Sequence, residues 1–113
     1  MAKYILVALS NCKEGTDAEF NEWYNEVHLP DVLRLKGHVS AVRYCATEDQ
    51  LRPEVHYRYM AIYELDVDNV KEAMAALQGA AGTDKLPIGD TLDGDRTVVY
   101  YYQPIEHGNW RRA

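Results

Sequence analysis

This sequence has few of the features that would mark a stapled, membrane-bound or nucleic-acid-binding protein. Only two of its 113 residues are cysteines, Cys12 and Cys45. Their separation matches neither a CxxC pair nor a metal-ligand spacing, so two idle or buried thiols in a reducing compartment are expected. Positive charge is in the minority: 12 Lys+Arg stand against 18 Asp+Glu, a formal −6, and the only adjacent basic pair is Arg111-Arg112. A phosphate backbone is held by a concentrated basic face, so nucleic acid is excluded as a partner. The apolar stretch near the N-terminus, Tyr4 to Leu9, is too short for a signal segment or a membrane span. A cytoplasmic protein with no membrane partner is the expectation.

Cofactor motifs are missing too. The sequence contains no G-x-G-x-x-G, no G-x-x-x-x-G-K-[ST] and no G-x-S-x-G, which removes support for nucleotide, flavin and serine-hydrolase chemistry. The four histidines, His28, His38, His56 and His107, show no i,i+4, H-x-H or HExxH spacing, and the carboxylates are too scattered to complete a metal set. No metal and no cofactor are predicted. What remains is an ordinary globular composition, 47% hydrophobic and 27% charged. A chain of this length folds as one domain and buries roughly 65% of the surface its unfolded form exposes. Residues 1–103 form that domain, with 104–113 as a tail.

Lys3 to Leu9 is β-branched and aromatic without polar alternation, the pattern of a strand covered on both faces. Thr16-Asp17-Ala18-Glu19 has the form of a capping box and predicts a helix start. The apolar residues Phe20, Trp23, Tyr24 and Val27 then recur at i, i+3, i+4 and i+7. Pro30 is expected to end or kink the helix near His28-Leu29, with a short turn through Arg34 that Gly37 stops. His38 to Cys45 and His56 to Leu65 read as two strands of a hairpin with a long charged connection containing Pro53. A second helix, capped by Asp66 or Asp68, carries Val67, Val70, Ala73, Met74 and Leu77 and stops near Gly79. Ala80 to Asp95 lacks periodicity, and a loop of that length is more often a lid than slack. Arg96 to Gln103 is the last strand.

The order β-α-β-β-α-β places two helices on one face of a four-stranded antiparallel sheet, the ferredoxin-like α+β fold. Two helices cover only one face, yet the strands do not alternate apolar with charged. A second copy of the chain is therefore expected on the other face, giving a homodimer and a dimeric α+β barrel.

The run from Glu19 through His28-Leu29-Pro30 to Leu33, followed by Gly37-His38-Val39-Ser40-Ala41-Val42-Arg43-Tyr44, resembles the helix-H-x-P segment and following strand of EthD-like proteins. Arg58 to Glu64 is similar to their third strand. The resemblance spans about residues 3 to 103. It implies the dimeric α+β barrel superfamily, in which each subunit encloses a pocket, and whose members include isomerases, cyclases, decarboxylases, dehydratases, cofactor-free monooxygenases and proteins without assigned chemistry.

His28 is the first candidate for chemistry, one helical turn after Tyr24 and three residues before Asp31. Phenol, imidazole and carboxylate are thus placed to converge where the helix ends. The competing role is a histidine that satisfies free carbonyls at a helix C-terminus. The H-L-P match implies instead that His28 faces the pocket. Arg43 lies mid-strand in an apolar segment, either anchoring an anion or extending its head into water. Tyr59, Tyr63, Tyr100 and Tyr102 hold same-parity positions and are candidates to line an apolar pocket. The expected function is a cofactor-free lyase or isomerase acting on a small cyclic or aromatic acid or ketone. His28 is its proton-transfer residue, with Tyr24 and Asp31 beside it. A non-catalytic small-molecule binder and a cofactor-free monooxygenase are the alternatives.

Overall fold

The computed structural model describes residues 3 to 112; Met1, Ala2 and Ala113, the outer ends of the predicted domain and tail, lie outside the described residues. Four strands, β1 (Lys3–Ser10), β2 (His38–Cys45), β3 (Tyr59–Asp66) and β4 (Val98–Tyr102), form one antiparallel sheet in the order β2-β3-β1-β4. This is the ferredoxin-like arrangement that the element order predicts. The helical elements are α1 (Asp17–Trp23), a π-helical segment (Tyr24–His28), α2 (Leu29–Leu33) and α3 (Val70–Ala80). Phe20, Tyr24 and Val32 from the first helical stretch and Ala73 from α3 share one core with Leu6, Ala8, Tyr59, Ala61, Tyr63 and Leu65. Both helical layers therefore lie on the same sheet face.

Register decides which side chains share that face, because directly paired residues of antiparallel strands point the same way. Ala41, Arg43 and Cys45 pair with Tyr63, Ala61 and Tyr59 on the helix side. Tyr100 and Tyr102 pair with Val7 and Ile5 on the other side. That open face is apolar without a cover: Val42, Tyr44, Tyr100 and Tyr102 are 48 to 54% exposed.

Several local signals resolve differently from their sequence reading. The Thr16 hydroxyl donates to the Lys13 carbonyl (2.7 Å) and makes no cap bond, because it closes the turn before α1. Asn69, not Asp66 or Asp68, caps α3, its side chain accepting from the Lys71 N–H at 2.9 Å. The last strand starts at Val98, because Gly94–Arg96 form a 3-10 turn.

The segment from Ala80 to Asp95 is tied down. Leu86 is buried and bridges to Ala81, while Leu92 bridges to Cys12. Buried Asn11 staples the end of β1 to two loops. Its Nδ2 donates to the carbonyls of His56 (2.9 Å) and Arg96 (3.2 Å), and its Oδ1 accepts from the Arg58 N–H (3.0 Å). A side chain that satisfies three backbone groups from distant segments fixes their positions at low entropic cost.

Candidate functional site

The site begins with the way the first helix absorbs Pro30. Proline has no N–H to donate to the carbonyl four residues back, and the expected consequence is a helix end or kink near His28-Leu29. The helix instead continues to Leu33 through a π turn, in which the Leu29 N–H reaches the Tyr24 carbonyl five residues back. π turns inside α-helices recur at functional positions because they re-aim side chains. Here the segment begins at Tyr24 and ends at His28, the two residues that the sequence singles out.

Those two side chains meet beneath the helix. The His28 ring packs edge-on against Tyr24 with centroids 4.7 Å apart, and Trp23 completes a triangle of rings, 4.7 Å from His28 with a tilt of 30° and 5.5 Å from Tyr24. The buried hydroxyls of Tyr24 and Tyr63 are 3.1 Å apart. Together with Leu6, Ala8, Val32, Leu77 and Val99 these groups line a cavity of about 50 Å³. The Nδ1 of His28 is buried and has no hydrogen-bond partner. Burial first, and the Arg43 charge second, push the imidazole down to about 4 against an opposing pull from Asp31. It is neutral at pH 7, with one nitrogen free to accept a proton. Burial also raises both tyrosines, although Arg43 and the bond to Tyr63 hold Tyr24 back.

Arg43 crosses from β2 toward the helix. Its carbon Cζ sits 4.3 Å from the Tyr24 ring centroid, a cation–π stack. Nη1 donates to Asn25 Oδ1 at 2.8 Å and Nη2 to Asn21 Oδ1 at 2.9 Å. Asn21 Nδ2 in turn donates to the Tyr59 hydroxyl at 3.4 Å, which donates to Asp17 at 2.5 Å. Arg58 flanks the same carboxylate at 3.3 Å. The Tyr59 bond, followed by the Cys12 thiol and then the charge of Arg58, holds Asp17 below the ordinary carboxylate range against partial desolvation. A cleft of about 390 Å³ opens beside Arg43, between α1 and the ends of β2 and β3. Tyr24 stands between this cleft and the smaller cavity.

Of the predicted site residues, the structure brings together His28, Tyr24, Tyr63, Arg43 and Tyr59. Asp31 is not a hydrogen-bond partner of His28: its carboxylate is taken by Arg34, three residues on. It acts on the imidazole only through its field. Tyr100 and Tyr102 lie on the opposite sheet face from Tyr59 and Tyr63, so the four do not line one pocket within a chain. Equal parity within separate strands says nothing about register between them. Asn21, Asn25 and Trp23 are site residues that the sequence reading leaves out or assigns to packing. The signal for the asparagines was their i,i+4 spacing beside the apolar stripe, which sets both on one helix face. Among the described residues, no three His, Cys, Asp or Glu side chains gather into a metal set, and no helix is long and apolar enough to cross a membrane.

No protein-family model matches the sequence, and no curated protein matches it. Solved structures do match the fold. An EthD-like protein of Ralstonia eutropha is 16% identical, with 91% of this chain and 92% of that chain covered at a TM-score of 0.64. An EthD family protein of Bacillus halodurans is 14% identical, with 93% and 100% covered at 0.61. The chain has the fold of EthD-like proteins. A dimeric ferredoxin-like protein of Thermobifida fusca also matches, at 13% identity, 91% and 92% coverage and a TM-score of 0.53. Identities this low carry the architecture and leave the chemistry to the residues of the site.

Proposed function

We propose that this chain is a cofactor-independent lyase or isomerase that moves a proton in a small cyclic or aromatic acid or ketone. The observation that carries the proposal is the His28 imidazole, neutral and with Nδ1 buried but unpartnered, at the wall of a cavity that also holds the Tyr24–Tyr63 hydroxyl pair. An unsatisfied buried polar atom costs about 1–3 kcal/mol, a cost that a polar group of the substrate would relieve. In the proposed step His28 takes the proton as general base. The tyrosine hydroxyls and the Arg43 charge stabilise the oxyanion that develops, and Asp31 favours the imidazolium through its field. Trp23 covers the imidazole. The segment beyond α3 packs closely on Trp23 at Gly89, where a Cβ would lie 2.8 Å from the indole, and so holds this cover in place.

Solvent-proton exchange tests the step directly. In D₂O, NMR of a panel of cyclic ketones and arylacetic acids should show enzyme-dependent deuterium incorporation next to the carbonyl for at least one member. That activity should vanish in His28→Asn. One observation favours a second reading, a non-catalytic ligand binder, because the His28 cavity of about 50 Å³ is smaller than a ring whereas the cleft of about 390 Å³ beside Arg43 does not include His28. Saturable binding by wild type without exchange across the panel would establish the binder and sink the lyase.

The working unit proposed is a homodimer joined through the open sheet face, as the exposed Val42, Tyr44, Tyr100 and Tyr102 favour. Tyr100 and Tyr102 then serve the interface rather than the substrate. Light scattering at micromolar concentration should give twice the chain mass, and Val42→Glu with Tyr100→Glu should give the monomer mass. A wild type that stays monomeric would end the proposal.

A further inference from the structure

The environment of Arg43 is unusual in what it withholds. A guanidinium drawn out of water is normally neutralised by a carboxylate. Among the described residues no carboxylate forms a salt bridge with Arg43. Its two side-chain acceptors are the amide oxygens of Asn21 and Asn25, at 2.9 and 2.8 Å, and its flat face is stacked on Tyr24. Neutral acceptors fix the orientation of the fork while leaving its full positive charge in place. Two of its five N–H donors are thereby engaged.

The neighbouring cation is already neutralised. Arg58 pairs with Asp17, whose charge is shared with the Tyr59 hydroxyl. The cleft of about 390 Å³ thus presents one uncompensated, oriented guanidinium. Its volume falls in the range of small-molecule sites. We propose that this cleft is a binding site for a small aromatic monocarboxylic acid, with Arg43 as the anion-holding residue and Asn21 and Asn25 as positioning residues. The proposal narrows the substrate class and rests on the reading that the helix-side hollows take a small acid or ketone.

Benzoate, phthalate and benzamide are suitable probes, with amide chemical shifts of the full-length protein as the readout. Benzoate should bind saturably. Benzamide should bind at least about tenfold more weakly, since hydrogen bonds to charged groups are the stronger class, and the second carboxylate of phthalate should bring no gain in affinity. Cys45 lines this cleft whereas Cys12 does not, so saturating benzoate should slow iodoacetamide modification of Cys45 alone.

The decisive variants are Asn21→Asp and Asn25→Asp. Each keeps an oxygen acceptor for Arg43 and supplies the missing negative charge. A purely structural role for the asparagines predicts unchanged or higher thermal stability and no change in ligand affinity. The proposal predicts the same stability but benzoate binding weakened at least about tenfold. Equal affinity for benzoate and benzamide, or benzoate affinity unaltered in both Asp variants, would overturn it. Because the assay needs no turnover, the two proposals fail separately. Benzoate binding with no proton exchange keeps this site and rejects the lyase, whereas proton exchange by a protein that binds benzoate no more tightly than benzamide rejects this site and keeps the lyase.

Discussion

Replacing His28 by alanine is expected to lower kcat by about 10²- to 10⁴-fold, the usual contribution of a general acid or base. The sign of the pH dependence follows from its surroundings. Burial depresses the imidazole to about 4, so the neutral, proton-accepting form is present at and above neutral pH and is lost as the pH falls through that value. The acid limb of kcat/KM should therefore lie near 4 instead of near the ordinary histidine value of about 6.5. A bound carboxylate adds negative charge close to the ring, which favours the imidazolium. The limb of kcat should then sit higher than that of kcat/KM. Asparagine at the same place should be nearly as harmful as alanine, because it keeps polarity but carries no titrating proton. Circular dichroism and light scattering confirm that each variant is folded and assembled like wild type. A folded His28→Ala protein with kcat within about twofold of wild type, far short of the general-base contribution, would return the residue to packing against Trp23 and Tyr24.

Gly37→Ala should destabilise the fold by about 3 kcal/mol or more, read as a fall in urea midpoint at unchanged slope. Two penalties add at this position. Gly37 has a φ of +82°, and a left-handed conformation costs an L-residue about 1–2 kcal/mol. A Cβ there would also lie 2.2 Å from Cγ1 of the buried Val67, and the backbone has little freedom to retreat because the Gly37 carbonyl accepts from the Asp66 N–H at 2.8 Å. A double-mutant cycle separates the two penalties. Val67→Ala in the Gly37→Ala background should recover the steric part while leaving the backbone strain. A Gly37→Ala midpoint indistinguishable from wild type would show that this corner rearranges freely. Gly37 opens the turn into β2, so the same substitution should also weaken benzoate binding by displacing the strand that carries Arg43.

The strand and helix pattern was legible because it is local. Lys3 to Leu9 read as a strand, the stripe of Phe20, Trp23 and Tyr24 as an amphipathic helix, and Gly37 as the stop after it, whereas Val27, the fourth residue of that stripe, is exposed because the π turn shifts the helix face at this point. Helix caps were less legible, since Thr16 and Asn69 differ in nothing the chain displays except the hydrogen bond each finds. At Pro30 the helix does not end, for a definable reason. The missing proline N–H calls for a break only if the helix keeps its ordinary pitch, and a π turn removes that requirement.

By itself the sequence determined the ferredoxin-like order of elements, the placement of Tyr24 and His28 one turn apart, and an open sheet face rich in apolar residues. These follow from periodicity and short-range sterics, which act between neighbours along the chain. Only the tertiary structure decided that Tyr100 and Tyr102 face away from Tyr59 and Tyr63, and that Asn21 and Asn25 hold Arg43. Each of these depends on strand register or on a competition among partners distant in sequence. A one-residue change of register would reverse every strand side chain, and a guanidinium takes whichever acceptors the packed helix brings within 3 Å.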